Sequence, residues 1–124
     1  VLNILSFVNF ILESNLDNSD QKPGSKILGR ATTIHSDGTI SIYSNSSKKM
    51  VRVRFNLGMV FGDVNIVNIE QRGKNYHILT KRGRDQVIRG EMITKIIHFI
   101  DSKEGEILIN TDNNLAPVMK ITKL

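Results

Sequence analysis

From Lys26 onward the chain alternates apolar and polar side chains in short runs, and a period of two restricts it to a mainly β fold. Met50-Val51-Arg52-Val53-Arg54-Phe55 is the clearest run. In an extended strand it puts Arg52 and Arg54 on one face and Val51, Val53 and Phe55 on the other. Thr39-Ile40-Ser41-Ile42-Tyr43 and Val64-Asn65-Ile66-Val67-Asn68-Ile69 alternate in the same way. Turn residues separate the runs: Ser36-Asp37-Gly38, the polar stretch 44–49, Asn56-Leu57-Gly58, and the glycine-containing stretch 71–75 before Tyr76-His77-Ile78-Leu79. Short antiparallel strands at this spacing predict a small five-stranded barrel or sandwich over residues 26–90, and the barrel is the form expected here. Its strands lie within 26–83, with Val51, Val53, Ile66 and Ile78 pointing inward.

The flanks read differently. Residues 1–12, VLNILSFVNFIL, place Asn3, Ser6 and Asn9 on one stripe of an expected amino-terminal helix. That helix would cover apolar surface of this chain or of a protein partner. It is too short to span a bilayer, which needs about 20 apolar residues, and it lacks the marks of a signal peptide. Residues 13–25, with Pro23-Gly24, complete an amino-terminal helix-and-linker unit, 1–25. After the barrel, 85–92 suggests a short helix, and Ile93 to Ile100, Ile107 to Ile109 and Val118 to Ile121 suggest strands. The expectation for 91–124 is a β extension packed on the barrel. A chain of 124 residues without cysteine fits one domain that needs no disulfide framework, and a cytoplasmic location.

Charge supplies the functional signal. The chain carries a net +5 and has a pI near 9.7. Between Lys26 and Lys95 there are thirteen basic residues against five acids, a net +8 on that segment. Charge gathered on one segment is the footprint of a surface that meets phosphates. Arg52 and Arg54 share a strand face beside aromatic residues. Arg72 and Lys74, and Lys81, Arg82 and Arg84, sit at the two ends of a hairpin's strands, where they could form one patch or two opposite ones. Glycines in both turns let backbone approach a phosphate. Tyr76 is the candidate for stacking on a base. The expected nucleic-acid-binding set is therefore Arg52, Arg54, Arg72, Lys74, Tyr76, Lys81, Arg82 and Arg84.

The order of parts from Ile27 to about Gly90 resembles the oligonucleotide-binding (OB-like) barrel of the translation initiation factor one and one-A family. Leu28-Gly29-Arg30-Ala31-Thr32 is similar to its opening strand, and Asp37-Gly38-Thr39-Ile40-Ser41-Ile42 to its first turn and second strand. Met50 to Arg54 corresponds to its third strand, Phe61-Gly62-Asp63-Val64 to its entry into the fourth, and Tyr76 to Arg82 to its fifth. The family's lysine-bearing loop between strands three and four is here Asn56-Leu57-Gly58-Met59, without lysine. The resemblance covers about half the chain and implies binding to small-subunit ribosomal RNA.

No nucleotide-binding glycine signature, nucleophile elbow or metal-ligand spacing is present, and His35, His77 and His98 fall on separate segments. The sequence therefore predicts a non-catalytic RNA-binding protein of a ribosome or similar ribonucleoprotein, with no cofactor, no metal and no membrane association. The alternative is a structural subunit of a phage or virus particle, a baseplate- or capsid-associated barrel making protein–protein contacts.

Overall fold

The computed structural model describes residues 21–23, 26–83 and 85–124. The expected helix over 1–12 lies outside these residues. In chain order the strands are β1 (Gln21–Pro23), β2 (Thr32–His35), β3 (Ile40–Ser44), β4 (Lys49–Asn56), β5 (Ile66–Arg72), β6 (Asn75–Thr80), β7 (Asp85–Ile88), β8 (Glu106–Asn110) and β9 (Val118–Lys123). A short helix α1 (Gly58–Phe61) follows β4, and a longer one, α2 (Gly90–Asp101), follows β7.

The strands form two antiparallel sheets, one of six strands in the order β1-β2-β3-β4-β9-β8 and one of three in the order β5-β6-β7. This corrects the barrel expectation: among the described residues no closed barrel exists. Closure would need the β5-β6-β7 strands to pair with the edges of the β2-β3-β4 sheet, and among the described residues they form a sheet of their own. The chain leaves the β2-β3-β4 sheet after Asn56, where Gly58 (φ 94°) and Gly62 (φ 66°) bracket the single turn of α1. β9 then takes the vacated edge of β4, with Val53 opposite Lys123 and Phe55 opposite Ile121. The sheets remain stitched by single hydrogen bonds, Val64 N–H to the Phe55 carbonyl (2.8 Å) and Ile66 N–H to the Gly38 carbonyl (3.1 Å).

The carboxy-terminal half brings two further corrections. The stretch 85–92 is not a short helix. Asp85 to Ile88 is β7, with Gln86 and Ile88 buried on one face, paired to β6. Residues 93–100 are not a strand but the body of α2. Ile93, Ile96, Ile97 and Ile100 recur at i, i+3, i+4 and i+7, a helical stripe, and Thr94, Lys95 and His98 face water. A strand would have sent adjacent Ile96 and Ile97 to opposite faces. As a helix, both are buried. The strands expected at 107–109 and 118–121 are present as β8 and β9.

The core lies between the sheets, with α2 packed against β3 and β8 of one and β6 of the other. Ile40, Ile42, Val53, Phe55, Ile66, Ile78, Ile96, Ile100, Met119 and Ile121 are all buried in it, and Val51 packs at its margin. The β2–β3 turn is built for close approach. Gly38 has φ 87°, and a Cβ there would sit 2.6 Å from the Cα of Asn65. Asp37 holds the turn by accepting from the Thr39 N–H (3.0 Å) and the Thr39 hydroxyl (2.6 Å).

Candidate nucleic-acid interface

β4 presents Arg52 and Arg54 on one face, as its alternation requires, but both are occupied. Arg52 donates from Nε to the Thr39 hydroxyl (2.8 Å) and from Nη2 to Asp37 Oδ2 (2.8 Å). Arg54 lies 3.4 Å from Asp63 Oδ2 and 3.8 Å from Asp37 Oδ2. Two guanidinium groups thus meet two carboxylates, and the cluster is close to neutral. The Thr39 hydroxyl, then the Thr39 N–H and the Arg52 guanidinium, hold the Asp37 carboxyl at about 2, below its usual 3.8, against a smaller opposing effect of burial. Asp37 therefore stays charged and stays with its arginines.

Arg72 is also paired, to Glu70 through Nε (2.8 Å) and Nη2 (2.7 Å). Beside it, His77 Nδ1 lies 2.8 Å from Asp85 Oδ2. An ionised carboxylate only accepts, so Nδ1 carries the proton, and the 3.4 Å approach of Arg72 Nη1 to that nitrogen is not a hydrogen bond.

Tyr76 requires a correction. It is 2% exposed, one of the largest fully buried side chains, and its hydroxyl accepts from the Leu28 N–H at 3.0 Å. It packs the core and is closed to a stacking base. Phe55 and Phe99 are buried too, and Tyr43 and Phe61 are half-buried. Among the described residues no Phe or Tyr side chain is fully exposed, so none of them offers an open stacking platform.

Lys74, Lys81 and Arg82 are exposed and have no ion-pair partner among the described residues, and Arg84 lies outside those residues. Lys74 sits in the β5–β6 turn and Lys81 and Arg82 in the β6–β7 turn. The six residues of β6 separate them by about 20 Å. The two basic clusters are therefore opposite patches.

The Lys81–Arg82 patch borders a pocket whose wall includes Leu57, Phe61, Asp63, Asn65 and Asn113, with the Asp63 carboxylate turned to Arg54 and Asn56. Backbone geometry fixes this corner, since Lys81 N–H donates to the Asn65 carbonyl at 2.8 Å. Asn113 is oriented by its own loop. Its Oδ1 accepts from Leu115 N–H (2.8 Å) and Ala116 N–H (3.3 Å), which leaves Nδ2 as the free donor. An ammonium, a guanidinium and an amide N–H₂ gathered at one pocket are donors suited to an oxyanion. Asn65 and Asn113 had no signal in the sequence. Asparagine is common in turns, and only the fold brings 65 and 113 beside 81.

Among the described residues no three His, Asp or Glu side chains converge as metal ligands, and no helix is long and apolar enough to cross a membrane. The architecture defines a mainly β protein of two antiparallel sheets around one helix. Comparison with protein-family models, with curated proteins and with solved structures found no match in any of the three.

Proposed function

We propose that this chain is a non-catalytic RNA-binding protein of the cytoplasm, working within a ribonucleoprotein, and that it meets phosphate at the β6–β7 turn. One observation carries the reading. Lys81 and Arg82 are exposed, make no ion pair among the described residues, and line one pocket with Asn113, while the carboxylate in that pocket, Asp63, is paired with Arg54. Arg52, Arg54 and Arg72 play a smaller part, because a phosphate would have to displace Asp37, Asp63 or Glu70. Lys74, on the far side, adds only long-range attraction.

Filter binding of a single-stranded RNA across a salt series tests this. Each phosphate contact contributes about 0.7 to the log–log slope for a single strand. The double variant Lys81→Ala, Arg82→Ala should flatten the slope by about 1.4 while the fold is retained. Salt-insensitive or absent binding by the unmodified chain rejects the RNA reading.

A second reading, a structural subunit of a larger particle, is favoured by a different observation. Met59 is 103% exposed, Val60 88% and Leu108 59%, and Met59, Leu108 and Val118 border one groove. Apolar side chains gathered on a surface mark protein contact sites.

A further inference from the structure

Among the described residues the six-stranded sheet has a free edge at β8, and the backbone geometry of that edge selects a partner. Lys123 N–H donates to the Gly105 carbonyl and Thr111 N–H to the Pro117 carbonyl. In an antiparallel pair, successive residues direct their N–H and C=O groups alternately toward and away from the neighbouring strand. Residues 105, 107, 109 and 111 therefore face β9. Glu106, Leu108 and Asn110 turn their backbone groups outward, and these have no backbone partner among the described residues. Natural edge strands are usually blunted by lysine, proline or a bulge. β8, Glu-Ile-Leu-Ile-Asn, has none of these, and its register with β9 is unbroken.

We propose that β8 is the dimer edge of this protein, pairing antiparallel with β8 of a second copy so that the two six-stranded sheets become continuous. The edge is complementary to itself. Its three outward residues are centred on Leu108. With Leu108 opposite Leu108 of the partner subunit, every outward N–H and C=O of the strand finds a partner. A shift by two residues in either direction leaves some unmatched. In this register Glu106 lies opposite Asn110 of the partner subunit, so no like charges oppose each other, and on β9 the residue opposite Glu106 is the uncharged Thr122. The two leucines pack together at the centre of the exposed face, and half-buried Ile107 becomes covered on the opposite face. Met59 and Val118 extend the apolar surface beside the seam. The inference is independent of the RNA reading, since it uses neither Lys81 nor Arg82.

The chain has no cysteine, so single introduced thiols can read the register. Opposed residues of a hydrogen-bonded antiparallel pair have Cα atoms about 5.5 Å apart, within disulfide reach. Leu108→Cys should therefore give a cross-linked dimer under mild oxidation. Glu106→Cys should not, because its own counterpart lies four residues along the strand, roughly 13 Å away. Leu108→Pro removes only an outward N–H, so the β8–β9 ladder survives. That variant should sediment as a monomer, with unchanged circular dichroism, where the nuclease-treated full-length chain sediments as a dimer. Leu108→Lys, which keeps the backbone donor, is the second variant should proline unfold the chain, and it should weaken the dimer at least tenfold. The inference is overturned by a monomeric full-length chain, by equal cross-linking at 106 and 108, or by a dimer that nuclease dissolves. It is also overturned if dimers form only after residues 1–20 are removed, which would assign the edge to that segment.

Discussion

Arg30 and Asp101 meet through two parallel hydrogen bonds, Nη1 to Oδ1 at 3.0 Å and Nη2 to Oδ2 at 2.8 Å, and so lock the end of α2 to the chain entering β2. The same carboxylate accepts from the Asn45 N–H at 2.9 Å, and the Asp101 carbonyl accepts from the Ser46 hydroxyl at 2.6 Å. One residue thus holds the β3–β4 turn, the start of β2 and the helix end together. Asp101→Asn keeps the shape but removes the charge. It should cost about 1–3 kcal/mol, the range for charge-assisted hydrogen bonds, measured as a lower urea midpoint at unchanged m-value.

The same geometry sets a pH dependence. The Arg30 hydrogen bonds, with help from the Asn45 N–H, hold the Asp101 carboxyl at about 2, below its usual 3.8. Asp37 is lowered to about 2 as well. A carboxyl whose folded value is lowered contributes stability above its unfolded value and loses it as pH falls through the folded one. Stability should therefore decline from about pH 4 toward pH 2. Asp101→Asn should flatten part of that decline in acid-titrated thermal melts. An unchanged acid limb in the variant would remove Asp101 from the account.

Gly38→Ala tests the seam between the sheets. The new Cβ would collide with Asn65 backbone at 2.6 Å, in a turn whose φ of 87° already disfavours a side chain. The two effects together should cost about 2–4 kcal/mol. Gly83→Ala has the strained φ of 79° but open space, so it should cost less. Equal losses in the two variants would show that contact with Asn65 adds nothing.

Arg52 and Tyr76 separate structure from binding. Arg52→Gln breaks the contact with Asp37 and should lower the melting temperature slightly, leaving the RNA salt slope almost unchanged. Tyr76→Phe removes the hydroxyl that accepts from Leu28 N–H and should cost about 1 kcal/mol of stability with no change in RNA affinity. A drop in affinity for Tyr76→Phe at equal stability would restore a binding role for that ring.

Much of the strand pattern was legible in the sequence because alternation is local. Val53 and Phe55, Ile66 and Ile78 are buried as their runs require. α2 was misread from a signal that was present: the adjacent pair Ile96-Ile97 breaks a period of two and completes a period of 3.6. The pairing of β4 with β9 had no local signal. A strand's own residues say which face is apolar, not which distant strand will lie beside it. The candidate site was harder still. Arg52 and Lys81 look equally cationic in the sequence, and only the turn that brings Asp37 into an ion pair with Arg52 distinguishes it from Lys81, which makes none among the described residues. Tyr76 looks amphipathic until its hydroxyl is matched to a backbone donor forty-eight residues away.

The position of β9 between β4 and β8 also sets an order of events. Val53 pairs with Lys123, seventy residues later, so β4 cannot complete its ladder when its neighbour β3 does. Without β9, β4 is an open strand edge with Val53 and Phe55 beside it, and β8 has no link to the sheet. Contacts this distant in sequence form slowly, and a waiting edge is prone to capture by another chain. The edge of β4 is thus closed only by the far end of the chain, and whatever keeps β9 away leaves that edge open to a foreign strand.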